Sequence, residues 1–402
     1  METNFRYVIV GGGLAAASAV EGIREHDAEG TILLLSSENH PPYHRPPLSK
    51  GLWTGKETRD QLPVHAESFY SEQHVNLALR REAVELDPGQ RAVWDDRGVT
   101  YHYEHLLLAT GGRPRLLEIP GGRGEGVLYF RSLEDFLQLE HRIERLQHVL
   151  LIGGGFIGLE LAAAMRAKDR EVTLVYPEEY PLRRVLPRDL GLFVAEYYRA
   201  RGVETLSGES IQSIEEQAGL LSARTVSGNA VHTQLVVVGV GMTPNVDLAE
   251  AAGLEVSTGI DVDEMGRTSE PRIYAAGDVA EFPLVDLNRR ARSEHWDHAR
   301  AHGRAVGANM AGAGKRYDHL PMFYSDLFDL GWEAVGEVTS AHEVHAVWKE
   351  EFREGVLYYL SEDRVMGVLL WNVWGQVDRA REIVREQRAM TSAERREAIP
   401  LG

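Results

Sequence analysis

The sequence predicts an α/β fold, because two short apolar strands each lead through a glycine-rich turn into a helix. The first of these units lies at residues 7–16 and the second at residues 149–160. Both have the spacing G-x-G-x-x-G, with alanine at the last position of the first unit. This spacing is typical of Rossmann-like dinucleotide-binding domains, so two copies predict two such domains.

The three glycines of the second unit have separate expected roles. Gly153 permits the tight turn, Gly155 lets the backbone approach a diphosphate, and Gly158 lets the helix pack closely on the strand. The diphosphate would lie at the helix N-terminus, where free N–H groups and the helix dipole favour an anion. Glycine-rich turns also occur without a ligand, so the prediction depends on the repetition of the motif.

The first unit has the same features. Gly11, Gly13 and Ala16 occupy the three positions, and alanine is accepted where the helix packs on the strand. In both units a second apolar strand ends near an acidic residue, Glu38 in the first and Glu178 in the second. A carboxylate at that place can accept hydrogen bonds from the ribose hydroxyls of a dinucleotide.

Composition limits the classes of function. The chain has 402 residues, enough for two or three domains. It contains no cysteine, which excludes disulfides, iron–sulfur ligation and thiol chemistry, so electrons would have to travel on bound cofactors. The formal net charge of −18 argues against nucleic acid and anionic membranes, and it disfavours an acidic protein partner unless a local basic patch exists.

Targeting segments are also not expected. No stretch has the ~18 consecutive apolar residues of a membrane span, and the first strand begins too early for a signal or transit peptide. The sequence therefore predicts a cytoplasmic protein without a membrane span.

The other segments predict further strands, loops and helices. The proline-rich loop at 40–53 presents Arg45 and Lys50 as its cations. Asp278 follows a short strand and could accept hydrogen bonds from cofactor hydroxyls or cap a helix. We also expect strands over 75–108 and at 235–240, a glycine turn at 106–114, a helix capped by Ser132, a helix over 293–312, and strands followed by a helix over 320–402.

Three histidines, His295, His298 and His302, fall on roughly one face of the helix expected over 293–312. Such a set could suggest a metal site, but neither an acid nor a cysteine completes a recognisable ligand spacing, and Asp297 would face elsewhere. We therefore predict no metal site and expect these histidines to line a cofactor or the surface.

The order of motifs along the chain resembles that of the FAD-dependent pyridine-nucleotide oxidoreductases, and within them the apoptosis-inducing-factor and ferredoxin-reductase group. The resemblance covers nearly the whole chain. It is carried by residues 43–50, 109–112, 130–134, 241–245, 276–278, 294–299, 322–326, 331–336 and 368–372.

The resemblance implies two Rossmann-like domains of the glutathione-reductase type and a C-terminal α+β domain. The FAD-binding domain would be discontinuous, over residues 1–115 and 245–319. The NAD(H)-binding domain would span residues 116–244, and the C-terminal domain residues 320–402.

The resemblance also implies site residues, matched motif by motif. Lys50 and Glu160 would form a catalytic pair beside the flavin. FAD would be bound by Gly11, Gly13, Leu14, Ala15, Ala16, Ser37, Glu38, Arg45, Lys50, Val84, Ala109, Thr110, Gly111, Arg131, Gly277, Asp278, His295 and Trp296, with Tyr324 stacked near the flavin or nicotinamide. NAD(H) would be bound by Gly153, Gly155, Phe156, Ile157, Gly158, Glu160, Glu178, Arg184, Gly241, Glu333 and Asn372.

The sequence departs from the family pattern at a few positions. The usual ribose acid of the FAD unit falls on Ser37, so Glu38 would have to serve or the contact would be weaker. Trp296 stands where apoptosis-inducing factor has histidine, and Tyr324 stands where the family often has tryptophan. The sequence also has neither the mitochondrial leader nor the long C-terminal insertion of that factor, so the resemblance does not imply a role in cell death.

The implied activity is that of an FAD-dependent NADH:acceptor oxidoreductase. A hydride would pass from nicotinamide C4 to flavin N5, and electrons would then pass to quinone, oxygen or a small electron-transfer protein. Glu178 would favour NADH by repelling the 2′-phosphate of NADPH, although Arg183 and Arg184 are close enough to weaken that preference.

Several alternatives stay open at this point. Lys50 and Glu160 could form a purely structural ion pair. The protein could be the reductase component for a ferredoxin or rubredoxin, or a redox sensor whose NADH-reduced complex changes dimerisation or partner binding. The sequence does not decide the acceptor or whether a homodimer forms.

Overall fold

The computed structural model describes residues 3–217 and 219–401. The chain divides into two compact units, each with one of the glycine-rich motifs. The first unit consists of Met1–His44, Asp60–Arg113 and Thr243–Pro321. The second consists of Arg45–Arg59, Pro114–Met242 and Met322–Gly402.

A seven-stranded sheet forms the centre of the first unit. The strands up to Thr100–Leu108 are parallel and the last two are antiparallel. Because the central parallel strands are covered on both faces, their sequences are nearly continuous apolar runs. The strand order is Val75–Leu79, Ile32–Ser36, Asn4–Val10, Thr100–Leu108, Ala92–Asp95 and Ala83–Asp87, with Ile273–Ala275 also paired to Thr100–Leu108.

The register of this sheet brings the first motif to its carboxyl edge. Val10 lies opposite Leu35 on one side and Leu108 on the other. Gly11 and Ala109 therefore follow their strands at the same edge, which is where ligands bind in open α/β sheets.

Two helices of the first unit pack backbone to backbone. Trp296–Met310, which is shorter than the helix expected over 293–312, lies against Leu14–Arg24. A Cβ atom at Gly303 or Gly307 would overlap the backbone of Ala15 or Ala19, so only glycine allows this approach. The unit also contains the helices Glu67–Glu72 and Asp247–Ala251, the 3₁₀ turns Gly277–Val279 and Val285–Leu287, and a small sheet of Ile260–Asp261, Ala280–Leu284 and Arg289–Arg292.

The second unit contains a five-stranded parallel sheet, in the order Val203–Ser207, Glu171–Tyr176, His148–Ile152, Val236–Val238 and Val127–Tyr129. Its helices are Leu133–Ile143, Phe156–Ala167 and Arg188–Arg199. The predicted cap at Ser132 is confirmed, because its hydroxyl accepts from the N–H of Asp135 and the Asp135 carboxylate accepts from the N–H of Ser132.

Two antiparallel sheets complete the second unit. The three-stranded sheet of Ile211–Gln217, Leu220–Thr225 and Ala230–Thr233 shares a core with strands His148–Ile152 and Val236–Val238. The C-terminal sheet has the order Met322–Leu327, Leu330–Gly336, Arg364–Trp371, Glu354–Ser361 and Glu343–Glu350, followed by helices Val377–Glu386 and Ser392–Ala398.

The proline-rich loop contributes two short helices to the second unit. The 3₁₀ helix Pro46–Ser49 and the helix Gly51–Thr54 both lie against Phe156–Ala167. Three further short elements, the 3₁₀ turn Arg59–Gln61 and the strands Gly112–Pro114 and Met242–Pro244, occur where the chain passes from one unit to the other.

The observed sheets confirm the predicted fold class: two Rossmann-like sheets and a C-terminal sheet with helices. Within residues 3–217 and 219–401, no helix is long and apolar enough to cross a membrane.

Candidate functional site

The first glycine motif forms a turn at the N-terminus of helix Leu14–Arg24. Gly11 has φ +132°, and a Cβ atom there would overlap the carbonyl oxygen of Ala109, so this turn requires glycine. Gly13 is the N-cap and provides no side-chain cap, and a Cβ atom on it would have no atom within 4 Å. Ala16 is fully buried, in agreement with its predicted packing position.

The second motif repeats this geometry at the start of helix Phe156–Ala167. Gly153 has φ +119°, and a Cβ atom there would overlap the carbonyl oxygen of Gly239. Gly155 is the N-cap without a side-chain cap, and the space around its Cβ position is open. A Cβ atom at Gly158 would overlap the carbonyl oxygen of Gly153, which confirms the predicted close packing of helix on strand.

Both helix N-termini fit the diphosphate of a dinucleotide. Their first N–H groups are not capped by a side chain, and neither helix has an acidic residue in its first turn that would repel an anion. The helices have 11 and 12 residues, long enough for a helix dipole that favours negative charge at this end.

The residues that follow the second strand of each glycine-motif unit, Ile32–Ser36 and Glu171–Tyr176, differ in exposure. Ser37 is exposed and Glu38 is partly buried, with its carboxylate accepting a hydrogen bond from the Tyr43 hydroxyl at 2.6 Å. Glu178 is partly exposed. Arg184 is exposed and its carbonyl accepts from the N–H of Ser340 at 3.0 Å, so the backbone of this loop is fixed by the segment before the last strands.

The segment with Gly277 and Asp278 lies beside the first motif. Gly277 has φ +76°, and a Cβ atom there would lie 2.8 Å from the Cβ of Ala15. Ala276, and not Asp278, is the N-cap of the 3₁₀ turn, so the helix-cap alternative for Asp278 is wrong.

Hydrogen bonds join the turn at Thr110 and Gly111 to Asn245 within the first unit. The Thr110 hydroxyl donates to the carbonyl of Asn245 at 2.8 Å, and the Asn245 side chain donates to the carbonyl of Thr110 at 2.9 Å. The N–H of Asn245 also donates to the carbonyl of Gly111 at 3.0 Å. The turn after strand Thr100–Leu108 is therefore held in place, close to Gly11.

The sequence predicts that the histidines line a cofactor or the surface; the surface alternative is wrong for two of them, and the cofactor alternative stays a prediction. His298 and His302 are 0% exposed and lie in an aromatic cluster with Phe282 and Tyr317. His298 Nδ1 lies 3.0 Å from the Tyr317 hydroxyl, and His302 Nδ1 accepts from the N–H of Gly277 at 3.4 Å. Burial lowers the pKa of both imidazoles, that of His302 to about 3.

No group of three metal-ligating side chains occurs in the part of the chain that the structure describes. The carboxylate of Asp297 lies 2.6 Å from His319 Nε2. His295 is the N-cap of the helix, and the Trp296 indole donates to His44 Nδ1 at 2.9 Å.

A basic cavity of about 460 Å³ lies along helix Trp296–Met310. Its lining includes Trp296, His26, Arg300, Arg304, Lys315 and Arg316. Glu25, which also lines it, is paired with Arg304 at 2.5 Å. Asp297 also lines it, and Arg316 is paired with Glu264 at 2.6 Å. The four cations outnumber the two acids of the lining, so the cavity is a local basic patch on a chain of net charge −18.

Two arginines predicted to bind FAD are joined in the second unit. Arg45 Nη1 donates to the carbonyl of Arg131 at 3.0 Å. The N–H of Arg131 in turn donates to the Asp135 carboxylate at 3.0 Å, so the capped helix Leu133–Ile143 fixes both residues.

Lys50 lies at the meeting point of three elements of the second unit. Its Nζ is 3.2 Å from Glu160 Oε1 and 3.7 Å from Asp326 Oδ2. The same ammonium lies 4.0 Å from the ring centre of Tyr324, a distance at which a cation is attracted to the ring face. The predicted approach of Glu160 to Lys50 is therefore present.

Glu160 is almost completely buried, with 5% of its surface exposed. Ser49 Oγ donates to its Oε2 at 2.6 Å, and Ser325 Oγ donates to its Oε1 at 2.7 Å. Burial raises the pKa of Glu160, while Lys50 and the two hydroxyls oppose that rise because they stabilise the carboxylate.

The C-terminal sheet carries three further predicted site residues. Tyr324 is 36% exposed and pairs with Glu333 across the strands. Burial raises the pKa of Glu333, whose Oε2 has no hydrogen-bond partner among the described residues. Asn372 uses its side chain within the sheet, accepting from the N–H of Gly331 at 2.7 Å and donating to the carbonyl of Arg353 at 2.9 Å.

Other predicted residues are open to solvent. Val84 is 56% and Ile157 36% exposed, and Gly241 has φ +104° with no atom near its Cβ position. Phe156 differs, because it packs on the rings of Phe323 and Trp332.

A family model described as pyridine nucleotide-disulphide oxidoreductase matches residues 5–303. The chain belongs to this family. A second model, described as the C-terminal part of mitochondrion-associated apoptosis-inducing factor, matches residues 306–351 and 342–386. The family resemblance inferred from the motifs is thereby confirmed.

The chain is similar to individual members of the pyridine nucleotide-disulphide oxidoreductase family over most of its length. It is 32% identical to apoptosis-inducing factor 1, mitochondrial, of Dictyostelium discoideum, covering 96% of this chain and 79% of that protein. It is 36% identical to the ferredoxin–NAD(+) reductase component of the anthranilate 1,2-dioxygenase system of Burkholderia cepacia, covering 82% and 81%. The crystal structure of a covalent putidaredoxin reductase–putidaredoxin complex matches with a TM-score of 0.92 at 30% identity, covering 100% of this chain and 98% of that chain.

Membership in the pyridine nucleotide-disulphide oxidoreductase family identifies the protein as an oxidoreductase that uses FAD and NAD(H). The two open helix N-termini agree with two dinucleotides per chain. Because the chain has no cysteine, it performs this chemistry without a redox-active disulfide.

The motifs did not identify every side chain around the catalytic candidates of this family member. Ser49 and Ser325, which bond to Glu160, and Asp326, which lies near Lys50, were not predicted. Their signal in the sequence is that they lie within residues 43–50 and 322–326, two of the motifs that carry the family resemblance.

Proposed function

We propose that this protein takes a hydride from NADH at the Lys50–Glu160 site and passes the electrons to a small electron-transfer protein. The observation that carries the proposal is the buried contact of Lys50 with Glu160, at 3.2 Å. When bound, FAD accepts the hydride and releases the electrons to the acceptor. The chain itself supplies two anion-binding helix ends, a fixed positive charge and the residues that hold this charge in place.

Lys50 would stabilise negative charge on the reduced cofactor. An ammonium in a site with little water acts more strongly than one in bulk solvent, because the local dielectric is lower. Only 12% of the Lys50 side chain is exposed, and Glu160 keeps it from turning toward solvent. Arg45 and Arg131 would bind the same cofactor, and the other residues named from the family resemblance would hold FAD and NAD(H) as assigned above.

The basic cavity supports a protein acceptor. Small carriers of the ferredoxin type are commonly acidic, and a patch of Arg300, Arg304, Lys315 and Arg316 would attract such a carrier despite the net negative charge of the chain. The relative from Burkholderia cepacia is named a ferredoxin–NAD(+) reductase, and the related crystal structure contains putidaredoxin. Quinone and oxygen are the competing acceptors.

A redox sensor is the second candidate function. It is favoured by the match of residues 306–351 and 342–386 to the C-terminal part of apoptosis-inducing factor. In a sensor, NADH would reduce the protein slowly, and the long-lived reduced complex would form a homodimer or recruit a partner.

Steady-state turnover with NADH separates these functions. The assay compares a [2Fe–2S] ferredoxin, a rubredoxin, a ubiquinone analogue and oxygen, with the oligomeric state measured by light scattering before and after NADH. We expect fast reduction of the ferredoxin or rubredoxin and no change in mass. Slow turnover with all four acceptors together with NADH-dependent dimerisation would support the sensor, and fast quinone or oxygen reduction alone would contradict a protein acceptor.

Three further expectations belong to the same proposal. We propose FAD-binding, NAD(H)-binding and C-terminal domains over residues 1–115 with 245–319, 116–244 and 320–402. We propose that NADH is preferred to NADPH, through Glu178. We also propose a cytoplasmic location, where NADH and ferredoxin-type carriers are available.

A further inference from the structure

Two serine hydroxyls surround the buried carboxylate of Glu160. Ser49 donates to Oε2 at 2.6 Å and Ser325 donates to Oε1 at 2.7 Å. The serines are 3% and 0% exposed. Lys50 Nζ shares Oε1 with Ser325, so each carboxylate oxygen has one hydroxyl donor and one oxygen also has a cation.

We propose that Ser49 and Ser325 are positioning residues for hydride transfer, because their hydroxyls keep Glu160 ionised and directed at Lys50. The inference rests on the proposed function and names the residues that keep the Glu160 carboxylate of that site charged. A buried carboxylate loses its hydration and remains ionised only if donors replace the water. Without either hydroxyl, Glu160 would take up a proton at a higher pH than in the intact site.

Protonation of Glu160 would release Lys50. A second acid near the ammonium is Asp326, whose carboxylate lies 3.7 Å from Nζ and whose side chain is 52% exposed. A neutral Glu160 no longer attracts the ammonium, so Lys50 would be held by Asp326 and the ring of Tyr324, nearer to solvent. The two serines therefore decide which of two acids holds the cation.

Two tyrosines face Glu160, and neither of them titrates near neutral pH. Tyr324 approaches from the C-terminal sheet, and burial raises its pKa to about 12. Tyr198 approaches from helix Arg188–Arg199, and burial raises its pKa well above the ordinary value. Its hydroxyl donates to the carbonyl of Leu159 at 3.1 Å. Lys50 and Asp326 are the charged groups on the other elements packed around the carboxylate.

The test measures protonation of Glu160 directly and its effect on reduction separately. Infrared difference titration of the FAD-loaded protein without NADH gives the protonation midpoint, with the carboxyl band identified by its loss in Glu160→Gln. Stopped-flow reduction by NADH over the same pH range gives the acidic limb of the rate. Ser49→Ala and Ser325→Ala should each move both midpoints upward by about one pH unit, since one hydrogen bond to a charged group is lost.

The controls separate positioning from packing. Thr225→Val removes a fully buried hydroxyl from the three-stranded sheet of the same unit and should leave both midpoints at the wild-type values. Ser325→Thr keeps a hydroxyl at this position, so its midpoints should lie closer to those of wild type than the midpoints of Ser325→Ala do. If one alanine variant does not fold, the other serine tests the same inference.

The outcomes distinguish the two proposals. Serine variants that melt at a lower temperature but keep both midpoints would overturn the positioning role. If wild-type protein is not reduced by NADH, the proposed function fails, yet the infrared midpoints of the serine variants still decide whether the hydroxyls keep Glu160 ionised. Shifted infrared midpoints with an unshifted rate profile would overturn the link to hydride transfer.

Discussion

Lys50 Nζ lies 3.2 Å from Glu160 Oε1, and the two residues come from segments of the chain 110 positions apart (160 − 50). Removal of one partner from a buried ion pair costs more than the pair itself contributes, because the remaining charge stays desolvated. The contact therefore has a measurable consequence for both stability and charge at the site. Variants can separate the two effects.

Lys50→Ala should slow the reduction of bound FAD by NADH and lower the flavin potential, because a stabilising positive charge is lost. Glu160→Ala should also slow reduction, and the double variant should lose less than the sum of the two. The increase in the barrier should be on the order of 1–3 kcal/mol. Stopped-flow reduction, a potential measurement and a melting curve for each variant check this.

The matched control for Lys50→Ala is Lys349→Ala. It removes an exposed lysine that is paired with Glu354 at 3.1 Å in the same unit. In this variant, NADH should reduce the bound FAD at the wild-type rate. Normal hydride transfer in Lys50→Ala together with a lower melting temperature would contradict the catalytic role and support a structural ion pair.

The two glycine motifs should have separable effects on the two cofactors. Purified wild-type protein should be yellow, with one noncovalently bound FAD per chain. Gly11→Ala should lose FAD, because the new Cβ overlaps the carbonyl of Ala109 at a backbone angle of φ +132°. Gly153→Ala, which overlaps Gly239 in the same way, should retain FAD but bind NADH more weakly.

Absorbance at the flavin band relative to protein gives the FAD content, and a titration with NADH gives its affinity. The control is Gly89→Ala, in the turn between strands Ala83–Asp87 and Ala92–Asp95, where the nearest atom would be a side-chain oxygen at 3.2 Å. Full FAD content in Gly11→Ala would show that the first motif does not bind the flavin nucleotide.

Glu178→Ala should reduce the preference for NADH over NADPH by about tenfold. The carboxylate would accept hydrogen bonds from ribose and repel a 2′-phosphate, and the loss of a hydrogen bond to a charged group corresponds to roughly that factor. Flavin reduction rates with the two donors measure the ratio. Glu179→Ala, which removes the neighbouring acid paired with Arg188, should keep the wild-type ratio, and an unchanged ratio in Glu178→Ala would show that this residue does not select the cofactor.

The two buried histidines should make stability depend on pH. Burial lowers the pKa of His298, and that of His302 to about 3, whereas both would be near 6.5 in the unfolded chain. As the pH falls, the unfolded chain therefore takes up protons on these imidazoles at a higher pH than the folded chain does. The stability that the neutral buried imidazoles allow is fully present above about pH 6.5 and is lost as the pH falls toward about 3. Below about pH 6 the free energy of unfolding should fall by roughly 1.4 kcal/mol per pH unit for each imidazole.

Chemical denaturation between pH 7.5 and pH 5 tests this pH dependence in wild type and in His302→Gln, which should have the shallower slope. His141→Gln, at an exposed position of helix Leu133–Ile143, should match the wild-type slope. An identical slope in His302→Gln would mean that the buried ring does not contribute.

Local patterns were enough to predict the parts of the site that depend on neighbouring residues. Gly153, Gly155 and Gly158 have the conformations and contacts that their spacing predicts, because a tight turn and helix packing are decided within a few residues. The hydroxyl of Ser325 could not be found in this way, since it meets Glu160 from a strand 165 positions away. That contact depends on how the C-terminal sheet packs against helix Phe156–Ala167, which no local pattern encodes.

The histidines show a second kind of failure. His298 and His302 are polar residues on a helix rich in alanine, and such a pattern does not indicate which face is covered. Their burial follows from Gly303 and Gly307, which bring this helix against Leu14–Arg24, and from Phe282 and Tyr317, which are close to them only in the folded chain.

The contact of Gly303 and Gly307 with Ala15 and Ala19 also affects the order in which the two units can fold during translation. The helix after the first motif finds its packing partner only when residue 310 has left the ribosome, almost 290 residues after its own last turn. The parallel sheet of the second unit needs only residues 127–238. The second motif can therefore fold before helix Trp296–Met310 covers the helix of the first motif. Leu14–Arg24 packs on its own sheet, but its face toward Trp296–Met310 stays uncovered in the nascent chain for most of translation.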